Sequence, residues 1–304
     1  MKLINDECER IEIENTRETE RQKKQRGYLD QYSCLPCLTS VKPFLKWAGG
    51  KTWLLPTLQQ LRPKEFRNYH EPFLGGGSHF FDLRSQGYKG TSYLYDLNKE
   101  LLRTYHAIKL IPCSVLNELD VHIACHSEPY FLELREQNLR ELGNAEIAAR
   151  MIYLNKAGSN GLYKVNKQGK CNIPWGKKDA ITIDEFNIHK ARTALENTVI
   201  TLGDFANVLE NAQDGDFALL DPPYPDGFTQ YTSVGFDETD QKRLHEVCLE
   251  LNNRNVSFIQ TNADCDFIRY LYRDFEIIPV EARRNINCKG NGRGKVGEVL
   301  IMNY

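Results

Sequence analysis

The sequence of 304 residues predicts an α/β protein built on a doubly wound, mostly parallel sheet. Three observations lead to that fold class. Strand-like and helix-like patterns alternate from 69 to 109, an order in which helices connect parallel strands. A glycine-rich turn, Gly75–Gly77, joins the first strand to its helix. The apolar run Phe217–Leu220 ends at the tetrapeptide Asp221–Tyr224, whose two prolines stop a strand because each lacks an N–H.

The individual elements are predicted in chain order from apolar periodicity. Leucines at 54, 55, 58 and 61 have helical spacing, and Ser78 stands where it would cap the helix after the glycine turn. Helices are predicted over 51–61, 79–86, 98–109, 129–142 and 145–157. Strands are predicted over 69–73, 91–95, 199–202, 217–220, 256–261, 275–280 and 299–303.

The strand–helix rhythm divides the chain into three parts. Residues 1–41 are rich in charge and poor in large apolar residues, and predict a flexible extension. Residues 42–111 and 199–304 form the α/β domain, which the segment 112–198 interrupts as an insertion. Asn-Gly and Gln-Gly pairs over 158–170 predict a β-hairpin within that insertion.

Composition excludes several classes of protein. A net charge of −2 with 26% charged residues argues against a general nucleic-acid coating protein. No stretch approaches the roughly 20 apolar residues of a membrane span, and no apolar signal-peptide core is present, so we expect a cytoplasmic protein. The nine cysteines include one lone pair, Cys34 and Cys37, which falls short of the four ligands of a zinc site.

Two patterns that would indicate other chemistry are incomplete. The segment Lys46–Thr52 approaches a phosphate loop, but Leu45 stands where the first glycine belongs. His122 and His126 have the spacing of two metal ligands on one helix face, but Ile123 replaces the acid of the zinc-protease pattern. We therefore expect no metal, and we expect both histidines on a helix surface.

The glycine turn and Asp96 together indicate an adenosine-containing ligand. Glycines allow a backbone to approach a ligand closely. Asp96 stands about 20 residues further on, at the end of the next predicted strand, where nucleotide-binding folds place an acid for ribose hydroxyls. The alternative role for Asp96 is that of a helix N-cap.

Basic residues are concentrated in two segments. Six lysines and no acid lie between Lys156 and Lys178. A second basic segment, 283–295, contains three arginines, two lysines and several glycines. Either segment alone is typical of a solvated loop, but two in a chain of near-neutral charge favour contacts with phosphates.

Taken together, these motifs resemble those of the Dam-type DNA adenine methyltransferases, which include solitary enzymes and partners in restriction–modification. The resemblance covers about 42 to 304. It implies a Rossmann-like methyltransferase fold whose insertion recognises a DNA target. The matching segments are Phe44–Lys51, Glu71–Ser78, Tyr95–Asn98, Asn160–Tyr163, Gly203–Phe205, Asp221–Tyr224 and the loop with Arg283 and Arg284.

The resemblance implies S-adenosylmethionine as the cofactor. Trp47 and Lys51 would flank its methionine end, Asp96 would hold the ribose, and Phe205 would form a wall for the adenine ring. The full set that the resemblance assigns to the cofactor is Trp47, Lys51, Glu71, Phe73, Gly75, Gly77, Asp96, Asp204, Phe205 and Asp221.

The resemblance also assigns catalysis to Asp221, Pro222 and Tyr224. An adenine amino group is a poor nucleophile because its lone pair is delocalised into the ring. Asp221 and the Pro222 carbonyl can accept its two N–H groups and aim the lone pair at a methyl donor. A base stacked in a duplex cannot reach this turn, so the target would flip out and stack on Tyr224.

The expected partner is double-stranded DNA, with GATC as the expected recognition sequence and a cognate restriction endonuclease as a further, separately acting partner. Lys164 and Lys177 stand where the family commonly has arginine, and Ser159 stands where some members carry a large aromatic. The alternatives are methylation of adenine in RNA and a catalytically silent DNA-binding protein. The residues expected to contact DNA are Ser159, Asn160, Leu162, Lys164, Lys177, Arg283, Arg284 and Arg293.

Overall fold

The computed structural model describes residues 40–161, 163, 171–224, 236–282 and 296–304. Most of the predicted extension, most of the predicted hairpin and the segment 283–295 lie outside these ranges. The same holds for several residues singled out above, namely Cys34, Cys37, Leu162, Lys164, Arg283, Arg284 and Arg293.

Seven strands form one sheet in the order β3-β2-β1-β4-β5-β7-β6. The strands β1 to β5 pair in parallel, and β7 is antiparallel to both of its neighbours. This arrangement confirms the predicted α/β class and the mostly parallel, doubly wound sheet. The bounds are β1 Tyr69–Glu71, β2 Ser92–Asp96, β3 Thr198–Leu202, β4 Phe217–Leu220, β5 Ser257–Ala263, β6 Glu276–Ala282 and β7 Val296–Met302.

Alternate residues of the central strands pack into two apolar layers. Phe217 and Leu219 join one cluster, whereas Ala218 and Leu220 join the other. All four are buried, as expected for a parallel strand covered by helices on both faces.

Ten α-helices are described. The helices of the insertion share their apolar cluster with the sheet, since Ile152 and Tyr153 belong to the same cluster as Leu101 and Phe217. None of the described helices has the length and apolar character to cross a bilayer. The helices are α1 Leu55–Leu61, α2 Ser78–Ser85, α3 Lys99–Leu110, α4 Pro112–Ala124, α5 Glu128–Glu136, α6 Asn144–Ala157, α7 Glu185–Ala194, α8 Val208–Asn211, α9 Glu238–Asn253 and α10 Asp266–Leu271.

Local expectations fail at three places. Ser78 is the first residue of α2 and does not cap it, because Gly77 occupies the cap position with a left-handed φ of 65°. The helix predicted over 129–142 ends at Glu136. Asn138 then starts a separate turn, and its side chain accepts a hydrogen bond from the Arg140 N–H. The helices α4, α7, α8, α9 and α10 were not predicted.

His122 does not lie on a helix surface. Its side chain is 7% exposed, and its Nδ1 lies 2.7 Å from the Tyr130 hydroxyl. The packing of α4 against α6 buries this ring, which the spacing of histidines along α4 could not show. Within the described ranges, no three His, Cys, Asp or Glu side chains converge as a metal site would require.

Candidate active site

The strand order places a crevice between β1 and β4. Chain order runs outward from β1 to β2 and β3 on one side, and from β4 to β5 on the other. Ligands of open α/β sheets bind at such a switch point, outside the carboxyl ends of the strands. Glu71 ends β1 and Asp221 directly follows β4, so both acids lie at this crevice.

Asp221 lies among side chains from two other segments and from its own turn. The Thr261 hydroxyl of β5 donates a hydrogen bond to its carboxylate. The Lys51 ammonium lies 3.6 Å from the same carboxylate and 4.2 Å from the centre of the Tyr224 ring. Sequence analysis had singled out Lys51, Asp221 and Tyr224, and the structure brings these three together.

Glu298 of β7 also reaches this group. The Tyr224 hydroxyl donates to the Glu298 carboxylate over 2.8 Å, and Lys51 Nζ lies 3.5 Å from the same oxygen. Burial, with the nearby charges of Asp221 and Glu298, raises the pKa of the Tyr224 phenol well above its usual value. The phenol therefore stays protonated and can donate.

The tetrapeptide also contacts α9, which is bonded in turn to β5. Pro222 is buried, and the Pro223 carbonyl accepts a hydrogen bond from Gln241 over 3.4 Å. Gln241 is fully buried and accepts in turn from Asn262 of β5 over 3.0 Å. These contacts attach the turn to α9 and to the sheet.

Glu71 is buried within a short hydrogen-bonded chain. The Tyr69 hydroxyl donates to its carboxyl over 2.8 Å, and His79 Nδ1 lies 2.8 Å from the Tyr69 hydroxyl. Burial raises the pKa of the Glu71 carboxyl to about 8, and the charge of Asp221 adds to this effect. Burial lowers the pKa of the His79 imidazole to about 3, so His79 is neutral near pH 7.

Replacing Glu71 with Gln should flatten the pH dependence of stability. The pKa of the Glu71 carboxyl is about 8 in the folded protein against an ordinary value of 4.5. Between these values the unfolded chain releases the proton and the folded chain keeps it, so stability falls as pH rises. The contribution is up to about 1.4 kcal/mol per pH unit. Urea denaturation from pH 5 to 8.5 measures it.

Glu128→Gln is the matched control, since Glu128 is exposed at the start of α5. Its stability should follow the wild-type pH dependence. Equal slopes for wild type and Glu71→Gln would contradict the buried-carboxyl account.

The glycine turn needs glycine at two positions. Gly75 and Gly77 have φ of 47° and 65°, a region that other residues rarely adopt. A Cβ at Gly75 would lie 2.7 Å from an indole carbon of Trp47, and one at Gly77 would lie 2.7 Å from the Tyr105 hydroxyl. The turn therefore packs its backbone directly against aromatic side chains.

Asp96 organises this turn. Its carboxylate accepts from the Gly75 N–H over 2.9 Å and from the Asn98 N–H over 2.8 Å. The N-cap of α3 is Asn98, whose side chain accepts from the Leu101 N–H over 3.0 Å. Asp96 is therefore not the helix cap, and its partly buried carboxylate lies at the crevice.

The Trp47 segment is attached to the insertion. Trp47 stacks on Tyr163, with ring centres 5.6 Å apart and planes within 9°. Asn155 of α6 accepts from the Lys46 N–H over 2.9 Å and donates to the Gly161 carbonyl over 2.6 Å. The buried side-chain amide of Asn155 thus joins the Trp47 segment to the turn that carries Asn160.

Phe205 lies behind a cation. Its ring is 3% exposed and stacks on Phe73, with ring centres 5.5 Å apart. The Arg243 guanidinium lies 4.4 Å from the Phe205 ring centre and forms an ion pair with Asp204. Asp204 also accepts from the Ala206 N–H over 2.9 Å. The Arg243 guanidinium therefore covers one face of the Phe205 ring.

Three residues predicted to contact DNA are described, and all lie near the end of α6. Ser159 donates its N–H to the Pro174 carbonyl over 2.8 Å. Asn160 and Lys177 are exposed, with left-handed φ of 59° and 52°. The structure therefore leaves Asn160 and Lys177 accessible near the end of α6.

Sequence reasoning missed Thr261, Glu298, Arg243 and Asn155. Glu298 carried a usable signal, because it is the only charged residue between Gly297 and Tyr304, an otherwise apolar strand. The other three gave no such signal, because they are ordinary polar residues of β5, α9 and α6, and only the packing of the elements brings them to the crevice.

Comparisons with known proteins agree with this geometry. The family model described as D12 class N6 adenine-specific DNA methyltransferase matches residues 47–286. The Type II methyltransferase M1.LlaDCHI of Lactococcus lactis subsp. cremoris is 35% identical over 277 residues, which cover 87% of this chain and 96% of that protein. The DNA adenine methylase of Escherichia coli strain K12 is 29% identical over 269 residues, which cover 86% and 95%.

Proposed function

Because this chain belongs to the D12 class of N6 adenine-specific DNA methyltransferases, we propose that it methylates the exocyclic amino group of an adenine flipped out of duplex DNA, within GATC. The observation that carries the proposal is the tetrapeptide Asp221–Tyr224 at the switch point of the sheet, beside Glu71 and the glycine turn. A hydrogen-bond acceptor, an aromatic ring and a glycine turn of the kind that binds nucleotides therefore lie at one crevice.

The crevice fits S-adenosylmethionine. Asp96 lies at the end of β2 with a partly buried carboxylate suited to ribose hydroxyls. The half-buried Asp221 carboxylate provides negative charge for a cationic ligand, and the buried Glu71 carboxyl adds a hydrogen-bonding group beside it. When bound, the cofactor supplies an electrophilic methyl group. The residues proposed to hold it are Trp47, Lys51, Glu71, Phe73, Gly75, Gly77, Asp96, Asp204, Phe205 and Asp221.

Asp221, Pro222 and Tyr224 are proposed to act on the target base. The Asp221 carboxylate and the Pro222 carbonyl accept hydrogen bonds from the two N–H groups of the amino group. These bonds direct the nitrogen lone pair away from the ring. The Tyr224 ring stacks on the flipped base. Thr261, Lys51 and Gln241 hold these groups before substrate arrives, so little reorganisation is needed during transfer.

The segment 112–198 is proposed as the region that recognises the DNA target. This proposal is supported by the exposure of Asn160 and Lys177 near the end of α6 and by Asn155 of α6, which joins the Trp47 segment to the turn that carries Asn160. GATC is proposed from the likeness to Dam-type enzymes. Leu162, Lys164, Arg283, Arg284 and Arg293 complete the proposed set of DNA contacts.

Methylation of matched oligonucleotides tests this proposal. We expect transfer of labelled methyl groups to a duplex with GATC, and none to a duplex with the same composition in scrambled order or to RNA of the same sequence. Sequencing modified adenines in a bacterial host without adenine methylation then gives the recognition sequence directly. Methylation of the RNA alone would contradict the DNA assignment, and modified adenines outside GATC would overturn only the sequence assignment.

A further inference from the structure

We propose that Glu298 is a positioning residue for methyl transfer, which sets the orientation of the Tyr224 ring and divides the charge of Lys51 between two carboxylates. The proposal rests on the proposed function of Asp221 and Tyr224. It adds a residue of β7 to the residues of the tetrapeptide and the glycine turn.

Glu298 is placed to fix Tyr224. One carboxylate oxygen accepts from the Tyr224 hydroxyl over 2.8 Å and lies 3.5 Å from Lys51 Nζ. The residue is 5% exposed. An acid this buried needs partners to offset the loss of water, and both of its partners belong to the candidate active site.

The backbone that carries Glu298 is rigid. Glu298 pairs with Ala263 of β5 and with Val280 of β6, so hydrogen-bonded strands flank it on both sides. Tyr224 ends a turn that leaves the sheet after β4. Glu298 is fixed in the sheet and Tyr224 stands on a turn. The hydrogen bond between them therefore sets the position of the Tyr224 ring.

The position of Lys51 gives Glu298 a second effect. Lys51 Nζ is nearly equidistant from Asp221, at 3.6 Å, and from Glu298, at 3.5 Å. Without Glu298 the ammonium would pair with Asp221 alone and compete with the amino protons of the substrate. Glu298 therefore keeps acceptor capacity on Asp221 available for the base.

Single-turnover methylation of a duplex substrate, with cofactor affinity measured by calorimetry, tests this role. Glu298→Ala should slow transfer by about 10- to 100-fold and change cofactor affinity by a much smaller factor. Glu298→Gln keeps an acceptor for the Tyr224 hydroxyl and should recover part of the rate. Glu276→Ala is the control, since Glu276 is an exposed acid of the neighbouring strand β6, and it should match wild type.

A double-mutant cycle separates positioning from general support of the fold. Tyr224→Phe removes only the hydroxyl, so it should slow transfer and should add little further loss in a Glu298→Ala background. If Glu298→Ala unfolds, the same cycle with Glu298→Leu, which fills the buried position without an acceptor, carries the test. Wild-type rates for the Glu298 variants, or effects that multiply with Tyr224→Phe, would overturn the proposal. An inactive Asp221→Ala beside such results would leave the proposed function intact.

Discussion

Asp221→Ala is expected to reduce single-turnover methyl transfer by about 10²- to 10³-fold or more. The carboxylate is the acceptor that directs the lone pair of the amino group, and alanine leaves those protons unpaired. Thr261 and Lys51 hold the carboxylate in place before substrate binds. Its removal therefore also loses the benefit of a preorganised acceptor. Rapid-quench assays with excess enzyme measure the transfer step apart from product release.

The same variant should remain folded and keep part of its cofactor affinity. The Asp221 side chain is 26% exposed, and Lys51 retains Glu298 as a partner when Asp221 is removed. Asp214→Ala is the matched control, because Asp214 is an exposed acid at the opposite end of the same strand. A transfer rate near wild type in folded Asp221→Ala would refute the assignment of the catalytic acceptor.

Arg150→Ala is expected to lower the free energy of unfolding by about 3–5 kcal/mol. Arg150 is 2% exposed and its guanidinium lies 2.8 Å from the Glu100 carboxylate, which is 8% exposed. It also donates to the Leu134 and Arg135 carbonyls, each over 2.8 Å. Alanine would leave a buried carboxylate and two carbonyls without this donor. Urea denaturation followed by fluorescence and circular dichroism measures the loss.

Two comparisons identify the cause. Arg192→Ala removes the exposed pair with Glu196 and should change stability by less than about 1 kcal/mol. Arg150→Met combined with Glu100→Gln removes both charges together and should recover part of the loss. A loss below about 1 kcal/mol for Arg150→Ala would show that the pair does not stabilise the fold.

This ion pair also connects stability with the site. The Tyr163 hydroxyl donates to Glu100, and the Tyr163 ring stacks on Trp47. Arg150 therefore supports, through two intermediate side chains, a residue predicted to flank the cofactor. No sequence pattern indicated this, because Glu100 and Arg150 look like ordinary charged residues of two amphipathic helices.

Where a signal is local, the sequence was sufficient. The four apolar residues before Asp221 predict β4 with its observed bounds, since a strand buried on both faces requires an unbroken apolar run. The prolines that follow end that strand by removing backbone donors. Gly75 and Gly77 indicate a turn that other residues cannot adopt, and the structure gives both a left-handed φ.

Signals that depend on partners were misread or missed. Ser78 is a good capping residue, but the left-handed Gly77 takes the cap position of α2. His122 has a polar side chain on a helix, yet the contact between α4 and α6 buries it beside Tyr130. At Ser78 the adjacent glycine decides the cap, whereas at His122 a tertiary neighbour outweighs the local preference of the residue.

The sequence by itself therefore determined the order of the strands along the chain and the turn at Asp221–Tyr224, because each depends on residues adjacent in the chain. The class of chemistry followed from the motifs taken together. Only the tertiary structure decided which side chains share the crevice. Glu298 reaches Tyr224 across 74 positions of chain, and Arg243 covers Phe205 from another helix. Such contacts depend on strand order, and apolar periodicity carries no information about which strands become neighbours.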